Sequence, residues 1–195
     1  MSSNEKDTRS RILQTTWELL ESNPGRSLKM SEIAKASGVS RQALYLHFDS
    51  RTELLIATTH YVDDVKGLDK RLQKLQLAKT GEEMLQTCIN VWGNYIPEIY
   101  SVSKALMMSK DSDEAAAAAW VDIMGCLRDV CSEIVQLLDK ENKLSQKWNQ
   151  QAATDFIWIM ISIQNWEQLT MECAWNQDQY ITNVTEVLTA ALVSE

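Results

Sequence analysis

The chain has 195 residues, 45% of them apolar, enough to build a sizeable core in one domain or in a small domain joined to a larger one. Only two prolines and six glycines occur, and no stretch of alternating β-branched residues, which predicts a nearly all-helical protein. No uninterrupted apolar run reaches the ~18 residues of a membrane span, and the opening MSSNEKDTRSR is charged, so a soluble, cytoplasmic protein is expected. The net charge of −8 is unevenly spread: residues 1 to 60 carry eight Lys/Arg against seven Asp/Glu, for +1, and the remaining eleven Lys/Arg and twenty Asp/Glu give −9. An acidic body of this kind suppresses indiscriminate attachment to polyanions, while a small head keeps its cations in place.

From Asn4 to about Ser22, Ile12, Leu13, Thr16, Leu19 and Leu20 recur at helical spacing, and Asn23-Pro24-Gly25 stops the run. Residues 27 to 55, SLKMSEIAKASGVSRQALYLHFDSRTELL, read as a helix-turn-helix leading directly into another helix. Met30, Ile33 and Ala34 mark the apolar side of the first short helix, and Gly38 supplies the residue that tolerates positive φ in the turn. Ser40 caps the second helix, Val39 and Leu44 point back to the core, and Arg41, Gln42 and Tyr45 are left facing outward. Asp49 or Ser50 caps the next helix, which the pattern carries through Leu54, Leu55, Thr58, Tyr61, Val62 and Val65 toward Leu77, with a bend at Gly67.

Thr80 and Glu83 form a capping box for a helix bearing Met84, Leu85, Cys88, Ile89, Trp92 and Tyr95, expected to end at Pro97. A shorter helix is predicted over Glu98 to Met108. Asp111 or Ser112 then opens a long segment with five alanines, Ala115 to Ala119, followed by Trp120, Ile123, Met124, Leu127, Ile134 and Leu138. The most apolar helix is predicted from Trp148 to Trp175 and the last from Asp178 to Leu192.

The run Ile33-Ala34, Gly38-Val39-Ser40, Leu44-Tyr45, His47-Phe48 and Leu54-Leu55 resembles the signature of the tetracycline-repressor (TetR/AcrR-like) family of bacterial transcriptional regulators. The Tyr-x-His-Phe closing the second helix is its most particular part. The resemblance implies an all-α fold, with a helix-turn-helix DNA-binding domain over 1–50 and a helical ligand-binding and dimerisation domain over 51–195. Arg41 has the donor geometry for guanine O6 and N7, and Gln42 that for adenine, so these two are expected to read bases. In similar family members the positions of Tyr45 and His47 hold the phosphate backbone; Lys29 and Arg51 suit the same work, Ser31 is placed to reach either a base or a phosphate, and Ser40 is expected among the DNA-binding residues. Two positions depart from the family pattern. Lys29 replaces a capping threonine, which moves the cap to Ser27 or Ser31, and Gln42 stands where a small residue is common, so no operator sequence transfers from a relative.

Six of the seven tryptophans follow the head. Large rings at helical spacing are ordinary core, and they also line apolar ligand pockets. The family's pocket lies between the body helices, which nominates Tyr61, Trp92, Tyr95, Met107 and Trp120, together with Met124, Phe156, Met160 and Gln164. The family's dimer interface, formed by the last two helices, nominates Ile159, Ile163, Trp166 and Thr170 with Val184, Val187, Leu188 and Ala191. The function implied is a homodimeric repressor on an inverted-repeat DNA operator, released by a small apolar or amphipathic effector. The alternative is a protein-binding co-regulator of the same fold that no longer binds DNA. No catalytic grouping, phosphate loop or metal-ligand motif is present, so neither an enzyme nor a cofactor is expected. The scattered Cys88, Cys126, Cys131 and Cys173 read as reduced, mostly buried thiols, with Cys126 and Cys131 the pair that a redox role would use.

Overall fold

The computed structural model describes residues 3–194. It is all-α: no strand occurs among those residues, although an isolated antiparallel bridge pairs Leu144 with Val193. The chain divides into two compact units, residues 1–67 with 98–122, and residues 68–97 with 123–195.

In the first unit, α1 (Ser3–Ser22) packs on α2 (Met30–Ala36) and α4 (Arg51–Lys66), and α2 packs on α3 (Arg41–His47). Ile12, Leu20, Ile33, Leu44, Phe48 and Leu54 make the core between them. Buried Thr16 and Thr58 keep their hydroxyls satisfied by donating back to the carbonyls of Ile12 (2.8 Å) and Leu54 (2.7 Å), so neither leaves an orphaned polar atom. The predicted extension of α4 to Leu77 does not occur. Gly67 takes φ +67 as the left-handed C-cap, its N–H closing on Asp64 O at 3.2 Å, and this ends the helix rather than bending it. A five-residue α5 (Leu68–Leu72) and a 3₁₀ turn (Leu75–Leu77) follow.

One helix, α6, runs from Gly81 to Ser109 with Pro97 inside it, where the sequence predicts two helices. Proline lacks the N–H that the carbonyl of Gly93 would accept. The side-chain amide of Gln177 donates to that carbonyl instead, so the helix loses no partner there. Gly93 also has the room this needs: a Cβ at that position would lie 2.7 Å from Ile181 Cγ1, so only glycine admits α10 (Gln177–Leu192) this close. The second long helix, α7, spans Glu114–Lys140, and its cap is Asp113 rather than the predicted Asp111 or Ser112, with Asp113 Oδ1 accepting from Ala116 N–H at 3.0 Å.

The single helix predicted over Trp148 to Trp175 is broken in two. Helix α8 (Gln150–Met160) stops at Ile161, and Ser162, in extended conformation, caps α9 (Ile163–Glu167) by accepting from Asn165 N–H at 3.2 Å. The break is stabilised from both sides, because Trp92 Nε1 donates to Ile161 O at 2.6 Å and Asn165 Nδ2 donates to Met160 O at 2.8 Å. A wide π-type turn over Gln168–Glu172 then leads to Ala174 at φ +56 and to Asn176, which caps α10 reciprocally with Gln179. Leu85, Ile89, Ile96, Ile134, Leu138, Ile157, Tyr180 and Leu188 fill the core of this second unit.

Candidate nucleic-acid interface

The turn between α2 and α3 closes on backbone bonds from Ser37 N–H to Ile33 O (2.9 Å) and Val39 N–H to Ala34 O (3.0 Å), with Gly38 at φ +68. Arg11 of α1 donates through Nε to Ser37 O at 3.2 Å, which ties the turn to the supporting helix. Ser40 then caps α3, accepting from Ala43 N–H at 3.0 Å. Its hydroxyl is thereby engaged, although the residue is exposed.

Helix α3 is held by one side only. Leu44 and Phe48 are fully buried, and the Arg9 guanidinium lies 4.7 Å from the Phe48 ring centroid. The other side is free: Arg41, Gln42, Tyr45 and Leu46 are all exposed, and the Arg41 guanidinium stacks over the Tyr45 ring at 5.6 Å. Such stacking limits the rotamers of a long side chain before it meets a ligand. His47 is half-buried, with its ring 6.5 Å from that of Phe48.

At the start of α2, Lys29 and Ser31 are exposed. The helix is capped neither by Ser27 nor by Ser31. Lys29 is the N-cap residue and its side chain has no acceptor, so Glu32 supplies the carboxylate half of a capping box by accepting from Lys29 N–H at 3.0 Å. That bond, reinforced by an ion pair with Arg26 at 2.5 Å, holds the Glu32 carboxyl below its usual range. Arg51 is half-buried, and its Nε donates to Leu28 O at 2.9 Å. That bond fixes the loop between α1 and α2, an anchoring task that the sequence pattern did not signal. Leu46 was likewise overlooked, though its position was readable: it lies about half a helical turn from both Leu44 and Phe48.

The nine residues nominated for a ligand pocket are divided between the units. Tyr61, Met107 and Trp120 belong to the first, with Tyr61 Oη donating to Gln14 Oε1 at 3.0 Å. In the second, Trp92 and Tyr95 are buried as a tilted pair 5.7 Å apart and Met124 is buried. Phe156 stacks on Trp148 at 4.9 Å, Met160 is half-buried and Gln164 is exposed. A groove of about 590 Å³ in this unit is lined instead by Lys74, Gln86, Thr87, Asn90, Val91 and residues of α10 from Ile181 to Glu186. Among the nominated interface residues, Ile163, Trp166, Val184 and Leu188 are core of their own unit, Thr170 and Ala191 are half-buried, and Ile159 and Val187 are exposed by 56% and 48%.

The cysteines divide evenly rather than being mostly buried. Cys126 and Cys173 are exposed, and Cys88 and Cys131 are buried, with burial pushing the Cys88 thiol up to about 12 and Cys131 up as well. No helix among the described residues is long and apolar enough to cross a membrane.

Residues 12–58 match the family model for bacterial regulatory proteins of the tetR family. The chain is 36% identical over 64 residues to the nucleoid occlusion factor SlmA of Marinomonas sp., covering 33% of this chain and 32% of that protein. It is 30% identical over 116 residues to the HTH-type transcriptional regulator EthR of Mycobacterium tuberculosis, covering 58% and 53%. The matched stretches thus span about a third to a half of these relatives. The fold reaches further than the sequence likeness: a transcriptional regulator from Saccharomonospora viridis, solved in complex with choline, superposes with a TM-score of 0.82 at 14% identity, over 97% of this chain and 100% of that one. The head over residues 12–58 thus matches the tetR family of bacterial regulatory proteins in sequence, and nearly the whole chain shares the fold of a transcriptional regulator.

Proposed function

We propose that this protein is a homodimeric, ligand-responsive DNA-binding transcriptional regulator, a repressor released from its operator by a small apolar or amphipathic molecule. The observation that carries the reading is the two-sidedness of α3, which buries Leu44 while Arg41, Gln42 and Tyr45 face solvent. Arg41 and Gln42 read base edges in the major groove, Tyr45, His47 and Lys29 hold phosphates, and Ser31 reaches either a base or a phosphate. Arg51 contributes by fixing the loop that carries Lys29, through its bond to Leu28 O.

Dimerisation runs through α8 and α10, where Ile159 and Val187 expose large apolar side chains that a monomer would leave in water. Ile163, Trp166, Val184 and Leu188 support those helices from within. Two heads related by a twofold axis meet successive major grooves about 34–36 Å apart, which makes the operator an inverted repeat. The effector acts by preferring the state in which the heads are wrongly spaced, and it weakens DNA binding by no more than its own differential affinity for the two states. The tryptophans and methionines of the body supply adaptable apolar contacts for it, and the choline held by the fold neighbour from Saccharomonospora viridis supports a small-molecule effector here.

Selection from random duplexes with the full chain, followed by mobility-shift titration at several salt concentrations, tests the reading. An enriched inverted repeat bound at moderate salt is expected. Binding only at low salt and without sequence preference would replace this reading with that of a protein-binding co-regulator. Quenching of tryptophan fluorescence across a panel of hydrophobic compounds tests the effector, and sedimentation at micromolar protein tests the dimer.

A further inference from the structure

Leu46 is 87% exposed, more than any other large apolar side chain among the described residues. It stands on α3, four residues after Gln42, and therefore on the same face one turn further along. Tyr45 and His47 flank it, and the helix is already anchored by Leu44 and Phe48 on the opposite side, so Leu46 adds nothing to the core. A scattered surface leucine is unremarkable in general. This one shares a helical face with Gln42, whose amide suits a base edge, and it has no hydrogen bond to offer there. The apolar feature that a base pair presents in the major groove is the C5 methyl of thymine.

We infer that Leu46 is a specificity-determining residue that packs against a thymine methyl, about one to two base pairs along the groove from the base met by Gln42. The inference rests on the DNA-binding reading of α3 given above. It assigns to each half-site one thymine that is chosen by shape and apolar contact and not by hydrogen bonding. It also makes Gln42 and Leu46 a pair, with the amide reading a polar edge and the leucine a methyl on the same helical face.

The test uses the full chain and the duplex that it selects from a random pool. Replacing the thymines of that duplex one at a time by deoxyuridine removes the methyl and keeps the base pair. One position is expected to lose roughly fourfold in affinity per half-site, the effect of a single buried methyl. Leu46→Ala, at an exposed helical position where alanine is well tolerated, should bind the thymine and deoxyuridine duplexes alike and lose the preference at that position on reselection. If the wild-type chain selects a site but no deoxyuridine replacement and no Leu46→Ala exchange alters binding, the assignment of Leu46 is overturned and the regulator reading stands. If the wild-type chain selects no sequence at all, both fall together.

Discussion

The helix-turn-helix ends its helices with neighbours in sequence, whereas the second unit, which has local caps of its own at Ser162 and Asn176, also carries its helices through two irregular points with partners far along the chain. In the head, Ser40 caps α3 through Ala43, Ser50 caps α4 through Glu53, and Glu32 closes on Lys29, each within three residues. In the second unit, the Gly93 carbonyl freed by Pro97 is met by Gln177, 84 residues away, and the Ile161 carbonyl at the break after α8 is met by Trp92, 69 residues away. The head is thus encoded locally, and changes there act on a helix end or on an exposed side chain. At those two points the second unit depends on tertiary contacts, so a change at one helix is felt by another.

The largest expected effect follows from that contrast. Gly93→Val places a side chain where even a Cβ would lie 2.7 Å from Ile181 Cγ1, and overpacking of this kind should cost about 3 kcal/mol in denaturant unfolding. Ile181→Ala should return part of the loss in the double variant. Gly38→Ala in the head meets nothing within 4 Å; it suffers only the left-handed φ of +68, at about 1–2 kcal/mol. No second substitution should rescue it. Equal costs, or rescue in both, would erase the distinction between the two regions.

Next in size are the effects on DNA. Arg41→Ala should lower specific affinity by about 2 kcal/mol per half-site and relax the preference at one base pair. Lys29→Ala should weaken all sequences alike and reduce the salt slope by about one. Mobility-shift titrations on the selected duplex and on a scrambled one separate the two outcomes, and a uniform loss from Arg41→Ala would remove that residue from base reading.

The same contrast decides what could be read from the amino-acid sequence. Helices α1, α3 and α10 lie where the periodicity puts them, and Ser40 caps α3 within three residues as the pattern predicts. The passage of α6 through Pro97 was hidden, since the sequence shows the missing N–H but not the amide of Gln177 that makes up for it. The break at Ile161-Ser162 was hidden for the same reason: the apolar pattern continues across it, and the carbonyl that it frees is satisfied by Trp92. On α3, the outward face of Arg41, Gln42 and Tyr45 was legible from Leu44 and Val39. The engagement of Arg51 with Leu28 was not, because nothing in local spacing distinguishes an anchoring arginine from one awaiting a phosphate.

A thermodynamic cycle between Pro97 and Gln177 sharpens the account of α6. Gln177→Ala leaves the buried Gly93 carbonyl without its side-chain donor and should cost about 1 kcal/mol. Pro97→Ala restores a backbone N–H to the same carbonyl, so in that background Gln177→Ala should cost little. A coupling of about 1 kcal/mol between sites on different helices is the expected reading. Strictly additive losses would mean that Gln177 contributes through other contacts.

The smallest effect comes from the place where the first unit departs from its own local habit. Thr52 Oγ1 donates at 2.5 Å to Asp113 Oδ2, across 61 residues, while Oδ1 of the same carboxylate caps α7 through Ala116. The Thr52 hydroxyl first, and then the Ala116 N–H, hold the Asp113 carboxyl below its ordinary value of 3.8. A depressed carboxyl contributes stability that is fully present above that value and is lost as the pH falls through the lower folded value. Thr52→Val keeps the side-chain shape and removes the donor, so its deficit against wild type should be constant near neutral pH and shrink once the pH drops below 3.8. Ser40→Ala, which removes a neutral cap worth about 1 kcal/mol, should show the same deficit across the whole range. Thermal melts of both variants over a pH series distinguish them: parallel curves would show that the Thr52 hydroxyl does not act through the charge on Asp113.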